Sequence, residues 1–462
     1  MSLGKIISVE GPVVDVVFKN EKDIPNLYEA IETECFGGEK LILEIVEHLE
    51  NKKVRCVAMG STLNLQYNAP ANSCGGMITI PVGEELFGRI VNAIGQPIDL
   101  KGEIKTQTRS PIRRNISAIR LNPDRLLASE SEIMETGIKI IDFLFPMVKG
   151  SKTGILGGAA LGKSILILEM IHNVVERHKG ACVFTGAGER IREGNELYFE
   201  FVKQGILDKV MMAFGQMDEP PGARFEIAMT GVTLAEYLQD QNRDVLFFMD
   251  NVYRFVQAGA EISTLLGRVP SETGYQPTLA SEVSDFQERI RTREGGSITA
   301  VEAVYVPADD LTDPAVVTIF SYLDSILVLS RDKVQLGLYP AIDPLLSSSS
   351  NLELSIVGRE HFNIAQECLK ILTKYEELRR VVMIVGIEEL SKADRTLYDR
   401  ARKLLNFLTQ PFYVAEAYTG KKGEYITLKD TLSGCDKIIE GRADRIPEEN
   451  LYLIGTYEQA IG

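Results

Sequence analysis

Gly157-Gly158-Ala159-Ala160-Leu161-Gly162-Lys163-Ser164 decides how the middle of this chain folds. It fits G-x-x-x-x-G-K-[ST], a loop whose backbone N–H groups cradle nucleotide phosphates. Gly157 and Gly162 let the chain turn tightly around an anion without Cβ clashes. Lys163 would reach the β- and γ-phosphates, and the Ser164 hydroxyl would hold Mg²⁺. A pattern this short recurs by chance, so its flanks carry the weight. Upstream, Thr153-Gly154-Ile155-Leu156 reads as a short buried strand. Downstream, Ser164-Ile165-Leu166-Ile167-Leu168 opens an apolar helix that runs to about His178. Strand, loop, helix is the context a phosphate loop needs. A Gly-rich turn before a core helix is the other reading of the same residues. The expected ligand is a nucleoside phosphate, held by Gly157, Gly158, Ala159, Ala160, Leu161, Gly162, Lys163, Ser164 and Ile165.

Outward from this loop the chain is too long, at 462 residues, for one core, so two or three domains are expected. Residues 1–80 are strand-like, with Lys5–Pro12, Val13–Phe18, Lys40–Val46 and Lys53–Met59 separated by Gly and Pro, which predicts a small antiparallel β-barrel. Residues 81–345 alternate apolar strands with helical periodicity, including Gly194 to Gln204 and Ala223 to Gln241. That is the βαβ pattern of a mainly parallel α/β sheet. Residues 346–462 are dominated by helical segments, His361 to Leu378 and Lys392 to Leu408 among them, and are expected to form a C-terminal α-helical domain. Ser347 to Ser350 reads as a short polar loop.

The formal net charge of −15 argues against nucleic acid as a partner, because that role needs basic surface. The six cysteines show no C-x-x-C pair and no His at metal-ligand spacing, and read as reduced, mostly buried thiols of a cytosolic protein. No run of 18 apolar residues occurs, so nothing is expected to span a membrane. Strand pattern begins at residue 5, leaving no room for a signal peptide. Any membrane role would be peripheral, through other subunits.

A second set of charges lies C-terminal to the loop. Val245–Asp250 is an apolar run ending in a carboxylate, the way a buried strand delivers a residue that holds a metal through water. Capping of the next helix is the alternative for Asp250. Gly188-Glu189-Arg190-Ile191-Arg192-Glu193 follows another apolar strand. Glu189 could orient a water for in-line attack, Arg190 could stabilise γ-phosphate charge, and Glu193 could hold a metal-bound water. A solvated ion-pair cluster explains those charges equally well, and spacing does not rank the two glutamates. Arg254 lies one helical turn after Asp250, if that segment is helical. The four histidines sit in no Gly-x-Ser-x-Gly context; His172 and His178 read as surface or packing residues.

Taken with Gly215–Arg224, Asp250–Phe255, Gly274–Ala280 and Val306–Pro314, these motifs resemble the catalytic β subunit of the rotary F-type ATP synthase over essentially the whole chain. The resemblance implies a ring alternating with α-type subunits around a γ-type central shaft, with a membrane sector reached indirectly and a cytoplasmic, membrane-peripheral location. It implies ATP or ADP with Mg²⁺ as ligands. By resemblance Glu189 is the catalytic carboxylate, Lys163, Arg190 and Arg254 contact phosphates, and Ser164, Glu193 and Asp250 serve the metal. Tyr339, Phe412 and Tyr418 match the adenine pocket, where aromatic faces stack the base. The non-catalytic α subunit of that family has Gln where Glu189 stands.

Three departures from the family pattern stand out. The loop has Ala160, Leu161 and Ser164 where Gly, Val and Thr are usual. Ser350 replaces an arginine that reaches the neighbouring non-catalytic nucleotide. Glu388-Glu389-Leu390-Ser391-Lys392-Ala393-Asp394 replaces an acidic lever motif, with two acids lost and a lysine gained, while Asp309–Pro314 on the shaft side is intact. They point to a diverged paralogue, an ATP-hydrolysing ring with a shaft coupled to something other than ordinary proton-driven synthesis. Three readings stay open: a catalytic ring subunit hydrolysing or making ATP, a ring motor for another machine such as export or motility, and a nucleotide-binding ring subunit with little turnover. Co-purifying partners separate the first two, and ring turnover separates the third.

Overall fold

The computed structural model describes residues 2–114, 132–158, 161–178, 180–293, 296–307 and 310–461. The chain makes two compact units, one of Met1–Asn122 with Ala181–Tyr322, the other of Pro123–Gly180 with Leu323–Gly462.

In the first unit, six antiparallel strands close a barrel: β1 (Leu3–Glu10), β2 (Val13–Phe18), β3 (Glu29–Glu34), β4 (Lys40–Leu49), β5 (Lys53–Ala58) and β6 (Pro70–Met77), in the order β1-β2-β5-β4-β3-β6. Register at closure pairs Lys5 with Pro70 and Leu3 with Asn72. The barrel fills with Ile6, Val14, Val16, Ile31, Leu43, Ile45, Val54 and Cys56, all fully buried. Closure removes the sheet edges that would otherwise invite pairing with other chains. The predicted barrel is present, and β3 and β6 are the strands its pattern did not single out.

The same unit holds five parallel strands, in the order Ile90–Val91, Val210–Gln216, Ala181–Glu189, Val245–Asp250, Ile298–Val304. Strands Val245–Asp250 and Ile298–Val304 are buried along their whole length, as parallel strands covered on both faces must be. Helix Pro221–Asp240 is buried on nearly every side, so its sequence carries no polar stripe. Helices Ile191–Gln204 and Val252–Leu265 each begin just past the carboxyl end of a strand.

In the second unit, strand Lys152–Leu156 pairs in parallel with Ser325–Val328, and the helix Lys163–His178 follows. Ser348–Ser349 adds antiparallel to Ser325–Val328. The expected polar loop at Ser347–Ser350 is therefore corrected: Ser349 Oγ lies 2.7 Å from Ser325 Oγ, and a strand this short carries no apolar alternation to mark it. The C-terminal helices run Leu354–Val385, broken at Gly358, then Lys392–Phe407 and Leu428–Ile439. Ala365, Cys368, Leu372 and Tyr375 form a buried stripe at helical spacing. All six cysteines are free and five are buried. No helix among the described residues is long and apolar enough to cross a membrane.

Candidate functional site

The loop expected to hold phosphate, Gly157–Ser164, belongs to the second unit. Strand Lys152–Leu156 ends where the Leu156 carbonyl accepts the Leu329 N–H at 2.7 Å. Gly157 sits so close to that neighbour that a Cβ would come within 2.9 Å of Leu329 Cβ, which excludes any larger residue. Gly162 needs its φ of 87°, in the left-handed region, although space around it is open. Lys163 then starts the helix, Leu161 is buried beneath it, and Ser164 and Ile165 are exposed on its first turn. The start of a helix, where the first N–H groups have no partner within it, suits an anion. Ala159 and Ala160 lie outside the described residues.

All three aromatic candidates belong to this unit, and only Phe412 lies in its interior. The Gln410 N–H donates to the Tyr339 carbonyl at 3.1 Å, which ties Tyr339 to the segment leading into Phe412. Phe412 is buried and Tyr339 is 43% exposed. Tyr418 stands on the short helix Glu416–Thr419 and is 82% exposed. The helix behind the loop reaches this segment too, since Glu169 accepts the Tyr413 and Val414 N–H groups at 3.2 and 3.1 Å. No sequence motif pointed to Glu169. Arg331 is a second unexpected neighbour, with its Nη2 3.9 Å from where a Cβ on Gly158 would lie.

The carboxylates and the two other arginines belong to the first unit. Glu189 ends strand Ala181–Glu189 and is half-buried. The strand beside it pairs Asp250 with Gly186, so both carboxylates sit at the carboxyl ends of adjacent parallel strands, where ligands of open α/β sheets bind. Gly188, at φ 64°, lies against Arg254, whose Cβ would be 3.2 Å from a Cβ there. The segment after Asp250 is helical, as the placement of Arg254 required, and Arg254 Nη1 donates to Gln257 at 3.0 Å. Asp250 is buried and does not cap that helix; Asn251 does, accepting the Tyr253 N–H at 3.0 Å. An Asn just before an apolar helical run was the signal for that cap. Arg190 and Glu193 face each other at 3.5 Å, both largely exposed. In this form they are the solvated pair that was the alternative reading, and such a pair stabilises little.

His172 packs its ring 4.8 Å from Tyr413, so packing is its role. Ser350, where the resemblance leads to an arginine being expected, donates its hydroxyl and N–H to the Asp324 carbonyl at 3.0 and 2.9 Å. In segment 388–394, Ser391 caps helix Lys392–Phe407 by accepting the Asp394 N–H, and Glu388 pairs with Arg395 at 3.3 Å. Just before it, Val381, Met383, Ile384 and Val385 are exposed at the end of helix Leu354–Val385.

Among the described residues, no three His, Cys, Asp or Glu side chains gather as a ready metal site. In the second unit Ser164 offers a hydroxyl, and in the first Glu193 and Asp250 offer carboxylates. These hard oxygen donors suit Mg²⁺, which keeps waters and takes phosphate oxygens to complete its shell. The donor chemistry fits.

Three family models match in order along the chain: the ATP synthase alpha/beta family beta-barrel domain at residues 6–75, its nucleotide-binding domain at 137–349, and the C-terminal domain of V and A type ATP synthase at 353–452. The order reproduces barrel, nucleotide-binding α/β domain and helical domain, and the central match implies ATP or ADP as ligand. The chain belongs to the ATP synthase alpha/beta family, as a nucleotide-binding subunit of the alpha/beta type.

Proposed function

We propose that the chain is a catalytic subunit of a rotary ATPase ring of the F-type β kind, alternating with α-type subunits around a γ-type shaft and coupling ATP hydrolysis or synthesis to its rotation. The observation that carries the catalytic reading is Glu189, a carboxylate rather than an amide, at the carboxyl end of a parallel strand beside the strand that delivers Asp250.

In this reading the backbone N–H groups of the loop and Lys163 bind the β- and γ-phosphates. Tyr339, Phe412 and Tyr418 hold the adenine. Glu189 orients a water and accepts its proton as the water oxygen bonds to the γ-phosphorus. The bond from that phosphorus to the bridging oxygen breaks, leaving ADP and phosphate. Arg190 and Arg254 neutralise charge gathering on the γ-oxygens. A bound Mg²⁺ would neutralise phosphate charge, and Ser164, Glu193 and Asp250 are the residues that would hold it. The exposed apolar end at Val381–Val385 suits a protein partner, because apolar surface of this kind is seldom left to water. Location follows from the partners: cytoplasmic, with membrane contact through other subunits.

The test is Glu189→Gln in the assembled ring. Nucleotide binding should stay nearly intact while turnover falls on the order of 10²–10⁴-fold, the contribution of a general base. Normal turnover in the variant would falsify the assignment. A second reading, a V- or A-type ring subunit, is favoured by the match at 353–452. The altered segment 388–394 favours a ring whose shaft drives something other than ordinary proton-linked synthesis, such as export or motility. Subunits that co-purify under Mg·ATP distinguish these.

A further inference from the structure

Glu169 lies in the middle of helix Lys163–His178 with no exposed surface. Its two oxygens accept from consecutive backbone groups, Oε1 from Tyr413 and Oε2 from Val414. Those N–H groups open the single 3₁₀ turn Tyr413–Ala415, whose N-cap position is Phe412, and the Phe412 side chain makes no capping hydrogen bond. The first N–H groups of such a turn have no partner within it, and a Ser, Thr, Asn or Asp at the cap position normally accepts them. An aromatic residue cannot. The missing cap is instead supplied across a sequence separation of 244 residues, by the helix that carries the phosphate loop at its own start. Three residues on along that helix, the His172 ring packs at a tilt against the Tyr413 ring, 4.8 Å between centroids, and contacts the same segment from a second point.

A buried carboxylate is costly unless its oxygens are hydrogen-bonded, and a cap from position 412 would avoid that cost. The arrangement releases position 412 from capping and sets the 412–414 backbone in register with the loop helix. We propose that Glu169 is a positioning residue for nucleotide binding: it holds the base-contacting segment at a fixed separation from the phosphate loop, so that one adenine nucleotide is gripped at both ends. The inference rests on the reading of Phe412 as a base-stacking residue.

Glutamine at 169 keeps one acceptor oxygen but presents an NH₂ to the second N–H, setting donor against donor. The experiment measures binding of ADP and of inorganic tripolyphosphate to the full chain by calorimetry, for wild type, Glu169→Gln, Phe412→Leu and the double variant. Tripolyphosphate uses the loop alone and reports that the loop remains folded. Glu169→Gln should weaken ADP about 10-fold or more and leave tripolyphosphate within about twofold; in the assembled ring KM for ATP should rise while kcat at saturation holds. In the double variant the two losses should overlap rather than add, because both act through one contact. Unchanged ADP binding in Glu169→Gln, equal loss of both ligands, or full additivity would each overturn the proposal. If Phe412→Leu leaves ADP binding unchanged, the base-stacking reading falls and takes the proposal with it. A normal loss in Phe412→Leu with no loss in Glu169→Gln removes the proposal alone.

Discussion

At Glu169 the buried carboxyl is pushed up to about 7, chiefly by loss of water and further by the nearby charge of Glu416, against an ordinary value of 4.5. The folded chain therefore holds this proton more tightly than the unfolded chain does. Its contribution to stability is complete below about pH 4.5 and is lost as pH rises through about 7. The full span is on the order of 3 kcal/mol. Urea unfolding of wild type and Glu169→Gln at pH 5 and pH 8 should show wild type losing ground to the variant as pH rises; a difference that stays flat would mean the carboxyl titrates normally. Glu169 also marks where reading single residues stops. Lys163, Ser164 and Asp250 could be singled out as candidates because each closes a short local pattern whose chemistry narrows its residue types, whereas Glu189 was separated from Glu193 only by resemblance. Glu169 is one more acid on an apolar helix, and its partners are hundreds of positions away in the chain.

Elements were legible in proportion to how completely they are buried. Val245–Asp250 and Ala181–Phe184 are runs that only a covered parallel strand explains, and both are strands. β6 reads Pro70-Ala71-Asn72-Ser73-Cys74-Gly75-Gly76-Met77 and buries only Ala71 and Ser73, so no apolar alternation announces it. β3 is flanked by glutamates and buries Ala30, Ile31 and Thr33, again without clean alternation. Neighbouring barrel strands impose both. Contact between elements makes its own demand in the helical region, where Gly434 of Leu428–Ile439 faces Phe407 of Lys392–Phe407. A Cβ at 434 would lie 2.2 Å from Phe407 Cζ. Alanine raises helix propensity by about 1 kcal/mol, but overpacking of this kind costs about 1–3 kcal/mol. Gly434→Ala should lower the Tm by a few degrees. A raised Tm would mean the Phe407 ring turns aside freely.

Across the whole molecule, the order of architectures along the chain differs from the grouping by packing. Barrel, α/β and helical stretches follow one another in sequence, yet the second compact unit joins residues before 181 to residues after 322. The C-terminal helices depend on that earlier stretch. Lys139 Nζ donates to the Ile454 and Gly455 carbonyls at 2.8 and 3.2 Å, and His361 Nε2 hydrogen-bonds the Phe143 carbonyl at 2.6 Å. A fragment of residues 346–462 expressed alone should therefore retain helix by far-ultraviolet circular dichroism but melt without a sharp transition. Cooperative unfolding of that fragment would show the helices to be self-sufficient.

The same interleaving sets a timetable for the chain as it leaves the ribosome. The barrel is complete once residue 77 has emerged, and it can close at once. The Lys152 N–H, by contrast, finds its acceptor on Asp324, 172 residues later. At ordinary elongation rates that is a wait of roughly 10–30 s. During that interval strand Lys152–Leu156, with four of its five residues destined for burial, lacks its parallel neighbour Ser325–Val328. Nascent chains stalled between residues 160 and 320 should thus be the species that chaperones hold most firmly, and release should follow synthesis of residue 328.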